Sequence, residues 1–148
     1  MGYIIRNAEY EDISDILDME NSLFSMPHTR EQLVSCLDRE RHIFPVAVED
    51  GGKVIGYAEM TVVIDEGYIS NVAVSESFRR HGIAKNIINN LAESGANRSL
   101  SFMTLEVRES NDAAIKLYEG CNFSVAAVRK NYYTEPKENA LIMTRYFN

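Results

Sequence analysis

Apolar positions along the chain change period several times, and each change predicts an element. Tyr3 to Arg6 reads as a short first strand. From Asp12 to Leu23, Ile13, Ile16, Leu17 and Glu20 recur at helical spacing. The stretch Phe24-Ser25-Met26-Pro27-His28-Thr29 breaks that helix, and Thr29 with Gln32 has the form of a capping box for a second one. This second helix is expected to reach about Arg39, with Leu33, Cys36 and Leu37 as its apolar face. Pro45 to Glu49 and Val54 to Val63 are expected strands, joined by a hairpin turn at Asp50-Gly51-Gly52-Lys53. Asp65-Glu66-Gly67 then turns the chain into Tyr68-Ile69-Ser70-Asn71-Val72-Ala73-Val74, rich in β-branched and aromatic residues.

A polar turn, Ser75 to Phe78, leads through Arg79-Arg80-His81-Gly82 into a helix that starts at Ile83 and ends near Gly95, a plausible C-cap. Ser101 to Arg108 alternates, with Met103, Leu105 and Val107 on one face and Phe102, Thr104, Glu106 and Arg108 on the other. Ser110-Asn111-Asp112 caps a fourth helix carrying Ile115, Leu117 and Tyr118, which ends around Gly120-Cys121-Asn122. Phe123 to Tyr133 and Ala140 to Phe147 predict two last strands joined by a loop over residues 134–139. The order β-α-α-β-β-β-α-β-α-β-β predicts one α/β (α+β) domain over residues 1–148. Its sheet is expected to be mixed, mostly antiparallel, of about seven strands with four helices.

Composition narrows the possibilities. A chain of 148 residues with 45% hydrophobic content can bury a sizeable single core. It has no apolar run long enough for a membrane span and no apolar signal segment near Met1, and its two cysteines, Cys36 and Cys121, form no disulfide framework or metal-ligand spacing. A reducing cytoplasm, no membrane partner and no metal are the expectations. The net charge of −7 argues against nucleic-acid binding and suits a basic protein or amine partner.

Against that acidic background one basic cluster stands out. Arg79, Arg80 and His81 precede a helix start and Lys85 lies one turn in, where cations oppose the helix dipole unless an anion is bound. Free backbone N–H groups there make a ready anion site. Gly82 lets the backbone approach a ligand, and Ala84 keeps the approach open. The Gly-Lys-Ser/Thr ending of a nucleotide P-loop is missing, so the expected ligand carries phosphate but is neither ATP nor a nicotinamide dinucleotide. Three further residues carry chemistry. Glu106 is a carboxylate in an apolar strand, or else a strand-end charge paired with Arg108 or Lys130. Asn111 and Tyr118 share a helix face roughly 10 Å apart along the axis, or else serve as cap and core aromatic.

Taken together these residues resemble the GNAT superfamily of acetyl-CoA-dependent N-acetyltransferases. Arg79-Arg80-His81-Gly82-Ile83-Ala84 is similar to its (Gln/Arg)-x-x-Gly-x-(Gly/Ala) pyrophosphate loop. Asn71-Val72-Ala73-Val74, Leu105-Glu106-Val107-Arg108-Glu109-Ser110-Asn111, Ala114 to Glu119, Arg129 to Tyr133 and Ala140 to Met143 are similar to the ribosomal-protein-alanine N-acetyltransferases. The resemblance implies a GNAT-like domain. It implies a bulge that splays the strand at Val72, Ala73 and Val74, whose backbone pairs with the pantetheine arm. Arg79, Arg80, His81, Gly82, Ile83, Ala84 and Lys85 are implied to hold the pyrophosphate. Glu106 is the implied proton acceptor, Tyr118 the proton donor and Asn111 a cofactor contact, with Tyr132, Tyr133 and His28 around the acceptor. Two positions depart from the family pattern: Asn122 replaces a glycine, and Pro27-His28-Thr29 replaces Pro-Trp-Ser/Thr in the loop that walls the acceptor.

The resemblance further implies acetyl-CoA as cosubstrate and, as acceptor, a protein N-terminus beginning with alanine, on a ribosomal protein. A lysine or small amine is the alternative acceptor. A non-catalytic acetyl-CoA sensor is the alternative of another class, disfavoured by the presence of both Glu106 and Tyr118. An α-amino group is roughly 10% neutral at pH 7 and a lysine only about 0.04%, so either needs a base.

Overall fold

The computed structural model describes residues 2–147; residues 1 and 148, the two ends of the expected domain span, lie outside the described residues. Strand β1 (Tyr3–Asn7) passes through a 3-10 turn into helix α1 (Ile13–Leu23), followed by α2 (Arg30–Ser35). Strands β2 (His42–Ile43), β3 (Pro45–Glu49), β4 (Val54–Val63) and β5 (Glu66–Val74) lead to helix α3 (Ile83–Asn97). Then come β6 (Phe102–Arg108), α4 (Asp112–Gly120), β7 (Ser124–Thr134) and β8 (Lys137–Tyr146). The mixed sheet has eight strands in the order β1-β3-β4-β5-β6-β8-β7, with two-residue β2 pairing β4 off that path. Among the described residues only β5 and β6 run parallel.

The two sheet faces are covered unequally. On one face α3 sets Ile83, Ile87, Ile88 and Leu91 against Ile55, Ala58, Met60, Met103 and Met143, and α4 packs Ile115 and Leu117 beside them. On the other face α1 and α2 cover the β1–β4 half, with Ile13, Ile16 and Leu33 against Val46, Val54 and Tyr57. Period-two alternation in β6 sends Met103, Leu105 and Val107 into the first core and leaves Phe102, Thr104 and Glu106 on the opposite face, beyond the half that α1 and α2 cover.

Four elements differ from expectation. Helix α2 ends at Ser35 rather than near Arg39, its capping box at Thr29 and Gln32 being present. Gly95 is not a C-cap but an interior residue of α3, where an added Cβ would come within 3.1 Å of the Phe147 ring. The helix instead ends at Asn97, and the reversal falls on Ser99, with φ +59°. Strand β8 starts at Lys137 rather than Ala140, so it closes tightly on β7 around Glu135-Pro136. β2 is the strand beyond the expected seven.

Between β5 and β6 the sheet opens. Parallel pairing holds for Glu66, Gly67 and Tyr68 and stops there, while β5 stays paired to β4 as far as Val74. A bulge leaves Ser70 unpaired between Ile69 and Asn71, two residues before Val72 rather than within Val72–Val74. The extra residue turns the strand, and the β6-facing edge from Ile69 onward has no strand partner among the described residues.

Candidate active site

Two cavities meet in this opening. The first, about 420 Å³, is bounded by Val72 to Val74 on β5, the 79–85 loop and helix start, and Ala114, Leu117 and Tyr118 on α4. The second, about 900 Å³, lies over the uncovered sheet face and takes in Glu106, Asn111, Tyr132 and Tyr133. Phe24, Val72, Ala114 and Tyr118 line both and so mark the passage between them.

The loop before α3 is built for an anion. Arg80 (φ +68°) and Gly82 (φ +74°) both adopt left-handed backbone, which bends the chain twice within three residues. Gly82 caps α3 with no side chain and the first turn holds no acidic residue, so the amides of Ile83, Ala84 and Lys85 have no intrahelical acceptor. Arg79 donates from Nε to the Val74 carbonyl at 3.2 Å, tying the loop to the end of β5. Arg80 and Lys85 are exposed at the rim. His81, expected in this group, lies outside the lining of both cavities. The arrangement can hold a diphosphate at the helix start, with an extended arm along the free edge of β5.

Tyr118 is half-buried with its ring 5.8 Å from that of Phe123. Burial, with smaller effects from Cys121 and Tyr133, pushes its phenol up to about 12. Asn111 is the N-cap of α4, its Oδ1 accepting from the Ala114 amide at 3.2 Å, and it faces the second cavity rather than the first. Asn122 takes φ +71°, the conformation that the glycine it replaces adopts freely.

Glu106 projects from β6 into the second cavity and is partly exposed. Its ion pair, at 3.7 Å, is with Arg129 rather than Arg108 or Lys130. Arg108 is occupied elsewhere, bonding Glu138 and the carbonyls of Glu135 and Pro136 and covering the Tyr133 ring at 4.2 Å. Successive strand residues normally face opposite sides, yet Tyr132 and Tyr133 both line the cavity. Asn131, at φ +54°, breaks the alternation, and the β7–β8 register shifts between Arg129 and Tyr133. The two rings meet edge to face at 5.1 Å. Contact with the Glu106 carboxylate, then burial, pushes the Tyr132 phenol above its ordinary value.

His28 does not line either cavity. It belongs to a buried network centred on Glu20, which is fully buried. The Glu20 carboxylate accepts from Tyr57 Oη (2.5 Å), Asn71 Nδ2 (3.0 Å) and the His28 amide (2.7 Å), with His28 Nδ1 at 2.9 Å. Burial alone would raise its pKa, but Tyr57 and His28 outweigh it and hold it below the ordinary value. The network joins α1, the 24–29 loop, β4 and the residue before Val72. Of that loop, Phe24 rather than His28 lines the second cavity. A second convergence, of Cys36, His42 and Glu59, brings three potential metal-ligand atoms within 4.8 Å. His42 Nδ1 lies 2.8 Å from Glu59, and burial, then Glu59, pushes the Cys36 thiol up to about 11. Nothing in sequence spacing pointed to either cluster, although Glu20 occupies the apolar stripe of α1, where a charge signals a buried partner.

Residues 10–123 match the model of the acetyltransferase (GNAT) family. The chain is 30% identical over 141 residues to the [ribosomal protein bS18]-alanine N-acetyltransferase of Escherichia coli (strain K12), covering 94% of each. It is 30% identical over 146 residues to that of Haemophilus ducreyi, covering 97% of this chain and 99% of the relative. The crystal structure of the ribosomal-protein-S18-alanine N-acetyltransferase from Escherichia coli superposes with a TM-score of 0.88 at 31% identity, over 98% of this chain and 94% of that one.

Proposed function

The chain belongs to the acetyltransferase (GNAT) family and is an acetyl-CoA-dependent N-acetyltransferase; on that premise we propose that its acceptor is the N-terminal α-amine of an alanine-starting ribosomal protein, that Glu106 accepts the proton of that amine and that Tyr118 hydrogen-bonds the departing sulfur. The observation that carries this reading is the meeting of the two cavities at Val72 and Tyr118, with Glu106 in the wider one. The names of the relatives support the ribosomal acceptor.

Acetyl-CoA supplies an activated acyl group as a thioester. The amides of Ile83 to Lys85, with Arg80 and Lys85 around them, neutralise the diphosphate, while Arg79 braces the loop. The free edge of β5 at Val72, Ala73 and Val74 pairs with the pantetheine amides, and Asn111 steadies its far end through the α4 cap. Glu106, directly or through a water, takes the proton of the incoming ammonium. A backbone N–H of Val72 to Val74 donates to the carbonyl oxygen as charge builds there. Tyr118 donates a hydrogen bond to the departing sulfur. With its phenol at about 12 and a thiol near 8.5, complete transfer would cost roughly 5 kcal/mol, so Tyr118 stabilises the sulfur by hydrogen bonding and not by giving up its proton. Tyr132 and Tyr133 wall the acceptor with apolar rings and polar tips, and His28 acts at one remove by fixing the 24–29 loop. Reaction takes place in the cytoplasm, where the two free thiols stay reduced.

The test offers alanine-starting peptides with free or blocked α-amines, each carrying one internal lysine, and reads products by mass. Acetylation confined to the free α-amine is expected. If the blocked peptide is acetylated on lysine as fast as the free one at its terminus, the acceptor is a lysine instead.

A further inference from the structure

The second cavity extends well beyond Glu106. On the same face of β6, Phe102 sits four residues from Glu106, roughly 13 Å away at about 3.3 Å per residue. Around it three aromatic rings form a row across three strands. Tyr68 meets Phe102 edge to face at 6.3 Å, and Phe102 meets Tyr146 at 6.1 Å. All three line the cavity that holds Glu106, and Tyr68 and Tyr146 are 41% and 66% exposed. Helices α1 and α2 do not extend over this part of the face. The Tyr68 hydroxyl is bonded to Glu66, so the row ends in a carboxylate.

Chemistry elsewhere does not account for the row. It contributes little to either core, and it lies too far from the passage at Val72 and Tyr118 to reach the reacting atoms. Its geometry suits an extended chain. A polypeptide whose amine is at Glu106 advances about 3.3–3.6 Å per residue and comes over Phe102 by its fourth or fifth residue. Exposed aromatic faces beside a carboxylate favour a guanidinium or ammonium, and the net charge of −7 favours a basic chain at longer range.

We infer that Tyr68, Phe102 and Tyr146 form a second acceptor subsite that receives a basic side chain at the fourth or fifth residue of the polypeptide being acetylated. This rests on the α-amine reading above. It makes the enzyme select acceptors by a stretch of sequence and not by the first residue alone.

The test compares kcat/KM for three alanine-starting peptides: a tripeptide, an eight-residue peptide with arginines at positions four to six, and the same length with serines there. Arginine is used because it adds no second acetylatable amine. The arginine octapeptide is expected to exceed the tripeptide by roughly tenfold or more, and the serine peptide to gain little. In Tyr146→Ala, and separately in Tyr68→Ala, the octapeptide-to-tripeptide ratio is expected to fall toward one. Because the ratio is taken on one preparation, loss of folded enzyme cancels. A wild-type ratio near one, or a ratio unmoved in both variants, overturns the inference while leaving α-amine acetylation standing. Failure of all three peptides to react overturns the α-amine reading itself.

Discussion

Glu106 stands in the wall of the second cavity without being buried. Arg129 stands 3.7 Å away, and the side chain is partly open to the cavity. Glu106→Gln is expected to lower kcat about 100-fold at neutral pH, with partial recovery at higher pH as the acceptor amine deprotonates unaided. Tyr118→Phe is expected to lower kcat with little change in acetyl-CoA affinity. With the Tyr118 phenol at about 12, the wild-type rate should show no descending limb from this group below about pH 11. Steady-state kinetics across pH check both. Glu20 calls for a stability measurement instead. Its folded pKa lies below the unfolded value near 4.5, so the folded state holds fewer protons. Its stabilisation is complete above that value and drains away as the pH falls through the folded one. Glu20→Gln puts an amide nitrogen against groups that donate, which should cost about 1–3 kcal/mol at pH 7 and flatten the acid limb of stability. Denaturant titrations at several pH values read both effects.

The loop between β5 and α3 places two left-handed residues side by side with a helix start. Gly82→Ala forces a Cβ into φ +74°, which should cost about 1 kcal/mol and weaken acetyl-CoA binding. Arg80→Gly should be close to neutral for stability, since relief of the positive φ offsets the added freedom of the unfolded chain. It should still weaken acetyl-CoA binding by about tenfold through loss of one charge–phosphate contact. Calorimetry on each variant separates backbone from charge. This loop was legible in the sequence because cations at a helix N-terminus violate a local electrostatic preference. The bulge was legible in kind but not in place, since Ser70 resembles any other strand residue until β4 supplies the register. The shared orientation of Tyr132 and Tyr133 depends on the left-handed turn at Asn131, which an asparagine permits but does not announce. The bond of His28 to Glu20 is hidden for a related reason: the buried carboxylate on α1 gathers His28, Asn71 and Tyr57, which lie far apart in the sequence.

For the whole molecule, unequal covering of the sheet is what creates a site open from two sides. Two helices seal one face along most of its width, and two others seal only the β1–β4 half of the opposite face. Alternation in β6 separates its two faces in the sequence but does not say which of them forms a wall of a cavity, because that depends on where α1 and α2 stop. Binding of acetyl-CoA to the folded state alone should add about 2.7 kcal/mol at one hundred times its Kd, or roughly 5–10 °C in Tm for a chain of this size. The proposed reaction requires cosubstrate and acceptor to meet through the gap between β5 and β6. The direct measurement compares the affinity of CoA bearing only an S-acetonyl group with that of CoA joined through an S-acetyl link to the α-amine of an alanine peptide. Occupation of both cavities through one passage predicts that the linked compound binds at least about 100-fold more tightly. Equal affinity of the two compounds would mean that the acceptor does not approach acetyl-CoA through this gap.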